Sequence, residues 1–541
     1  VGVVLSLAGG LAIACAADDA GSLGGGYGGG SSSGGAAATG GFNGDGGEPL
    51  PPEEELEEDF EVPAAVGRFL WAANPKSNRV ALVDAVTLEV QAFDAGFAPT
   101  YLAGVPRVGD SPGGAVVLNE LSQDATVFLL PADDEAPVTP ETLTVHTLAV
   151  HRHANAWRIG PNSRFAIAWS NARAFERNVD PTQGLQDITV LDLGVSPPTA
   201  TRLSVGYRPS QVFVDAAGER AYVVSQPGIT VVHLTHDDGP RIERELFLPE
   251  HPSGGARDVS ITPDGSLAFV RLEGQSEVLV LQLATDTRVT VSLPAPVTDL
   301  DVSADGLRAV AVMRRPDAPS EGAAGAGPEE PSRVAILPVA TITTAPADYE
   351  LVSLDGLFGS AVVSANGSHA LLFTNGVPHD VVSIVDLATG SHRELDLFAP
   401  VRAVFLTEDG SHAVALLSLP AGSAAKGAFS LVPVTEEFPP KLEGTDAPAR
   451  FVSLSANPAR ALITTDGGPT GPHGVLLARF PELRVDRIVL PSAPLASGIV
   501  PDAGKGFVAQ VHPEGRVTFV GLADGAARTL TGFELGGKVV E

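Results

Sequence analysis

The stretch Ala256 to Ser292, ARDVSITPDGSLAFVRLEGQSEVLVLQLATDTRVTVS, holds four short apolar runs separated by turn residues. The runs are Ala256 to Ile261, Leu267 to Val270, Glu277 to Leu281 and Thr287 to Val291. Their length and their Val, Leu and Ile content are those of strands, and no sustained helical period interrupts them. The first two flank Thr262-Pro263-Asp264-Gly265. Asp-Gly tolerates the positive φ that a tight strand-to-strand turn imposes. The unit therefore predicts a four-stranded antiparallel meander.

The turn recurs along the chain. Close copies are Ser303-Ala304-Asp305-Gly306, Ser364-Ala365-Asn366-Gly367 and Thr407-Glu408-Asp409-Gly410. Looser ones are Asp215-Ala216-Ala217-Gly218, Ser455-Ala456-Asn457-Pro458 and Pro501-Asp502-Ala503-Gly504. Their last residues lie 41 to 48 positions apart, except for one interval of 61 that contains the insertion Pro316 to Ser332, PDAPSEGAAGAGPEEPS. A repeat of this length made of four strands is one blade of a β-propeller. A solenoid or tandem sandwiches would fit the strand lengths and even spacing less well. Second strands at Phe69, Ala115, Ala166, Ala221, Ala268, Ala309, Ala370, Ala413, Ala461 and Phe507 give about ten repeats. The expected fold is all-β, a propeller of four-stranded antiparallel blades over 61–541, closed as a single wide ring or split into two. The insertion 316–332 offers no periodic apolar face and reads as a disordered excursion within one blade.

Arg68 to Ala95, RFLWAANPKSNRVALVDAVTLEVQAFDA, shows a strand, an Asn-Pro-x-x-Asn loop, a strand ending in Asp, a Thr-containing turn and a further strand. Val381 to Leu397, VVSIVDLATGSHRELDL, carries the same Val-Asp-x-x-Thr turn, there followed by Gly. These units resemble the YVTN-type repeat of bacterial β-propellers. The resemblance extends over nearly everything after residue 60, strongly in five or six units. It implies a ring of seven or eight blades, fewer than the repeats counted here. It also implies that relatives include lactonase-like enzymes and parts of metal-dependent reductases or lyases.

The first sixty residues read differently. Val1 to Ala14 is an apolar run of h-region length, too short to span a bilayer, and predicts a signal peptide. It ends in Leu11-Ala12-Ile13-Ala14-Cys15, which resembles the lipobox of bacterial lipoproteins, so Cys15 is the expected lipidation site. An ordinary signal peptide with a chance cysteine is the alternative. From Cys15 to residue 60 the chain is a Gly/Ser-rich and then acidic linker that buries nothing, reaching on the order of 35–40 Å. Ala16 and Ala17 lack the Asp that often retains lipoproteins in the inner membrane. The expected address is the cell envelope, at the outer membrane or cell surface.

The chain has 541 residues, 44% of them hydrophobic, which suffices for a large core. It has 34 Lys and Arg against 65 Asp and Glu, a formal charge of −31. That balance excludes nucleic acid as the default partner, and membrane contact is expected only through the lipid. Cys15 is the only cysteine, so no intramolecular disulfide forms. No Gly-x-Ser-x-Gly elbow precedes a helix, and the Gly-rich Gly24 to Gly30 lacks the strand, helix and Lys of a phosphate loop. No cofactor is expected, and a monomer is.

Loops between second and third strands gather on one face with the connections between blades, and a site belongs there. Aligning the repeats puts Arg257, Arg402 and Arg450 at one equivalent position at the channel mouth, Asp258 and Asp299 at the next, and Arg208 nearby. Such guanidiniums could clamp carboxylates or phosphates, or pair with the aspartates and cap the channel. His146, His151 and His153 supply the ligand type for Zn²⁺ or Cu²⁺, although exposed histidines at the end of an outer strand are the commoner outcome. Trp71, Trp157 and Trp169 lie in or beside strands and read as blade packing rather than a sugar-stacking platform. The functional expectation is a non-catalytic binding or scaffold module that holds an envelope protein or peptide on the propeller face. A propeller enzyme, lactonase-like or metal-dependent, and a structural surface-layer component are the alternatives.

Overall fold

A computed structural model describes residues 63–109, 111–133, 136–171, 185–250, 256–314, 331–533 and 539–540. The signal segment, Cys15 and the linker to residue 60 lie outside the described residues, as do residues 316–330 of the insertion. Its last residue, Ser332, is buried: its hydroxyl donates to Phe358 O (2.9 Å) and accepts from Phe358 N–H (2.8 Å).

The described chain forms ten antiparallel sheets arranged as the blades of a single ring. Each blade is one uninterrupted stretch whose strands run outward in sequence order. Blade 1 consists of Ala64–Val66, Phe69–Asn74, Arg79–Asp84 and Val90–Asp94, and blade 2 of Pro99–Val105, Gly114–Asn119, Asp124–Leu129 and Thr144–Ala149. The inner strands of blades 3 to 10 are Ala156–Ile159, Gln211–Val214, Arg257–Ile261, Val297–Val302, Ser360–Val363, Val401–Leu406, Ala449–Ser455 and Pro494–Val500. Blade 10 gains a fifth, outermost strand, Val539–Val540. All ten second strands fall where the repeat places them, and the ring closes once rather than splitting.

The recurring turn works through a side chain. In blade 5 the Thr262 hydroxyl donates to Asp264 Oδ1 (2.6 Å), which also accepts Ser266 N–H (3.0 Å), while Gly265 takes φ +67°. Ser303 to Asp305 (2.5 Å), Ser364 to Asn366 (2.8 Å) and Thr407 to Asp409 (2.6 Å) repeat the bond. The Val-Asp-x-x-Thr turn is an Asx turn: Asp84 Oδ1 accepts from Val86 and Thr87 N–H, and Asp386 Oδ1 from Ala388 and Thr389 N–H.

Packing follows from the two-residue period of strands. In blade 5, Phe269 and Val280 face blade 6, whereas Ala268 and Leu281 face blade 4. Each blade thus contributes half of two cores, and ten buried clusters, one for every interface of the ring, form among the described residues. The tenth joins Leu70, Ala81 and Val83 of blade 1 to Phe507, Val517 and Phe519 of blade 10 and closes the circle. The tryptophans belong to this packing. Trp71 is fully buried, tilted 5.5 Å from Phe128 across the first interface. Trp157 Nε1–H donates to Tyr101 O (3.1 Å), tying blade 3 to blade 2. Trp169 lies in the core between blades 3 and 4.

Candidate functional site

Inner strands start, second strands end and outer strands end on the same side, so interblade connectors and second-to-third-strand loops share one face, the connector face. The Thr/Ser-x-Asp-Gly turns occupy the opposite one.

The aligned arginines stand at equivalent places. Arg402 and Arg450 occupy a register shift at the start of their inner strands, and Arg257 opens its own. Their guanidiniums are engaged with the protein. Arg257 donates to Ser225 O (2.5 Å), Gln226 O (3.0 Å) and Pro249 O (3.3 Å) of the preceding blade and connector. Arg402 donates to Ala449 O of the next blade (2.6 Å). Arg450 pairs with Asp466 (2.7 Å), whose other oxygen lies 3.1 Å from His473 Nδ1. Arg208 is exposed in a connector, with φ +55°. Asp258 pairs with Arg271 of its own blade (3.6 Å) rather than with Arg257. Asp299 is buried and accepts Leu300 N–H (2.8 Å) and Ala361 N–H (2.7 Å), stitching blade 6 to blade 7. Burial raises the Asp299 pKa above the ordinary carboxylate range against the pull of Arg271 and the two N–H donors, and the Asp258 charge adds to the rise.

The histidines do not come together as one ligand set. His146 lies within the outer strand of blade 2, opposite Val127. His151 is buried rather than exposed, because the connector dips between blades 2 and 3. Its Nδ1 lies 2.9 Å from Thr189 Oγ1 and its Nε2 3.2 Å from Ser170 Oγ, so both nitrogens serve the core. Among the described residues, the His and carboxylate ligand atoms that do converge, within 4.8 Å, are those of Asp355, His392 and Glu394 on the rim between blades 6 and 7. There Glu394 Oε1 already accepts the N–H groups of Asp355 and Gly356, both at 3.0 Å.

Burial pushes the pKa of His151 down to about 4 from 6.5, with Arg202 and His153 adding to the fall and Asp187 opposing it. The unfolded chain therefore takes a proton that the folded chain refuses, and stability is lost as pH falls from about 6.5 to about 4. The contribution is about 3 kcal/mol. Asp299 acts oppositely, losing stability as pH rises through its own window, so the two partly cancel in the wild type. In His151→Gln, the loss of unfolding free energy between pH 7 and pH 4.5 should be smaller than in the wild type by about 2–3 kcal/mol, read from urea melts. Equal losses would show that His151 is not buried neutral.

A polar cavity of about 60 Å³ opens beside His151 between blades 2 and 3. Tyr101, Leu118, Val150 and Ala154 make its apolar walls, and Asn119, Glu120, Gln123, Asp124, His151, His153 and Asn155 its polar ones. The Asn119 amide donates to Asp124 Oδ1 (2.6 Å) and Thr126 Oγ1 (2.9 Å), leaving its own buried oxygen without a donor. Thr126 belongs to a recurrent staple. Gly96 N–H donates to Thr126 Oγ1 (3.2 Å), His151 N–H to Thr189 (3.1 Å) and Gly206 N–H to Thr230 (3.2 Å), so three successive connectors are pinned to the next blade's third strand. The sequence signal was an apolar-Thr-Val triplet, Ala125-Thr126-Val127, Ile188-Thr189-Val190 and Ile229-Thr230-Val231, which the turn-based alignment overlooks.

Exposed apolar side chains distinguish the two faces. On the turn face they stand singly, at Val86, Val108, Val195, Leu307 and Phe438. On the connector face Phe398 also stands singly, but two pairs occur. Phe97 (63% exposed) and Leu121 (77%) flank the cavity's loop, Leu121 N–H donating to Phe97 O at 3.1 Å. Leu495 and Val511 of blade 10 are a second pair, their loops joined by Val511 N–H to Ala493 O at 2.9 Å. Blade 1 lies between the two pairs.

No family model matches the chain, and no curated protein matches it. Solved structures do. The eukaryotic initiation factor is 13% identical with a TM-score of 0.46, over 77% of this chain and 93% of that one. Dihydro-heme d1 dehydrogenase NirN in complex with DHE is 16% identical with a TM-score of 0.38, over 65% of this chain and 73% of that one. Hydrazine synthase of Kuenenia stuttgartiensis is 13% identical with a TM-score of 0.32, over 62% and 95%. At these identities and TM-scores the likeness does not extend to activity.

Proposed function

We propose that the chain is a non-catalytic binding module displayed at a bacterial cell envelope, holding a protein or peptide partner on the connector face. The observation that carries this reading is the pairing of exposed apolar side chains in blades 2 and 10. Scattered single apolar residues are ordinary on any surface, whereas neighbouring ones beside a polar cavity have the make-up of an interaction patch. The reading includes YVTN-type descent for the blades and a lipid on Cys15, with the Gly/Ser-rich segment as tether.

Cross-linking and capture from solubilised envelopes tests it. Phe97→Ser with Leu121→Ser should cut recovery of the partner at least tenfold. Stability should change little, because both side chains already face water. Unchanged recovery would remove this face from consideration. In the same preparations Cys15→Ser should abolish labelling by a palmitate analogue, and persistence of the label would refute the anchor.

A further inference from the structure

We infer that the cavity between blades 2 and 3 receives a primary ammonium, the side chain of a lysine in an extended partner segment, with the neighbouring apolar residue of that segment lying on Phe97 and Leu121. The inference rests on the binding reading above and specifies its ligand chemistry. The acceptors come first. Glu120 and Asp124 are carboxylates, Asn119 Oδ1 lacks a donor, and among the described residues no Lys or Arg lines the cavity. The Asn119 amide cannot turn over to satisfy itself, since its nitrogen is held by Asp124, a carboxylate that only accepts. The local field therefore favours a cation that donates hydrogen bonds.

The remaining walls decide which cation. Leu118, Val150, Ala154 and Tyr101 offer apolar contact that suits an alkyl stem and gives nothing to a hydrated ion. A metal would need converging ligand atoms, and among the described residues the His and carboxylate groups that converge are elsewhere, at Asp355, His392 and Glu394. An ammonium is content with a few spread acceptors. The size agrees: about 60 Å³ admits a head group and its last methylenes, not a whole residue. Gly96 keeps the acceptors in place, because a Cβ there would collide with Asn119 Nδ2, Asp124 Oδ1 and Ser122 Oγ.

The test uses the full chain and ligand-observed NMR. Acetyl-lysine methylamide should show saturation transfer on its ε-methylene protons, and acetyl-norleucine methylamide, which lacks the ammonium, should show none. Glycine methylamide separates a chain-terminal amine from a lysine, and stronger transfer to it than to the lysine probe would overturn the assignment. Glu120→Gln with Asp124→Asn should weaken binding at least tenfold. Since Asp124 also accepts from Asn119 and Ser122, Glu120→Gln alone, at an exposed site, is the second variant and should weaken it at least threefold. An acetylated Leu-Lys-Phe amide should bind at least tenfold tighter than acetyl-lysine methylamide, and Phe97→Ser with Leu121→Ser should remove that gain. Equal transfer to the lysine and norleucine probes, or lysine binding that neither carboxylate variant weakens, would overturn the inference. If lysine fails to bind while the Phe97 and Leu121 variants still lose the envelope partner, the cavity is refuted and the face reading survives. If lysine binds while partner recovery ignores those variants, the face reading falls and the cavity stands.

Discussion

Replacing Phe507 and Phe519 together with alanine should open the ring. Both are nearly fully buried in the cluster shared by blades 10 and 1. Among the described residues no strand is exchanged across this seam. Its two ends are joined by side-chain packing, by Lys505 Nζ to Ala85 O (2.5 Å) and by Asp502 N–H to Gly67 O (3.3 Å). Each Phe→Ala costs about 3–5 kcal/mol in a core. At this seam the cost falls where no peptide link holds the blades together. The double variant should show a larger radius of gyration by small-angle scattering and proteolysis beginning in blades 10 and 1. Phe269→Ala, in the core between blades 5 and 6, is the control. There the chain itself still joins the blades, so stability should drop without ring opening. The same scattering curve for wild type and seam variant would refute closure by packing.

Gly228→Ala should be among the most damaging single-methyl additions in the molecule, with Gly114→Ala close behind. Gly228 takes φ +155° and Gly114 φ +145°, a region open in practice only to glycine. A Cβ at Gly228 would also collide with the Leu246 carbonyl, and one at Gly114 with that of Phe128. Both carbonyls are backbone of a neighbouring strand and cannot swing aside as a side chain would. Backbone strain alone costs about 1–3 kcal/mol, and displacement of the ladder adds to it. Gly274→Ala supplies the comparison: its φ is +68° and a Cβ there meets nothing within 4 Å. Urea melts should place Gly228→Ala more than about 3 kcal/mol below wild type and Gly274→Ala about 1–2 kcal/mol below. Equal losses would show that the collision is relieved by a shift of the strand.

The architecture was legible because blade formation is local. Thr262, Asp264 and Gly265 make their turn within four residues, and the alternation of Ala268, Phe269 and Val270 assigns each side chain to one blade interface or the other. The equivalence of Arg257, Arg402 and Arg450 was legible for the same reason. Their partners were not, because Ser225 O, Pro249 O and Ala449 O are backbone groups that carry no residue signature. His151 was misplaced for a related reason. Whether a connector lies on the surface or dips between blades depends on Thr189 and Ser170, 38 and 19 residues further on. The cavity was invisible in sequence because its walls come from Tyr101 and Asn119, on paired strands of blade 2, and from Asn155, which meets them only where blades 2 and 3 stack.

Every core among the described residues is owned jointly by two neighbours, and the first blade shares one with the last. An excised repeat would carry two half-cores and no whole one, so the unit that folds is the closed set. Such a chain can change length by duplication only in whole repeats: a fraction of a blade leaves an unmatched apolar face, whereas a complete one inserts two interfaces of the kind already present. The alternation within one strand, repeated around the circle, thus makes blade number a counted quantity, and a lineage built this way moves between ring sizes in integer steps.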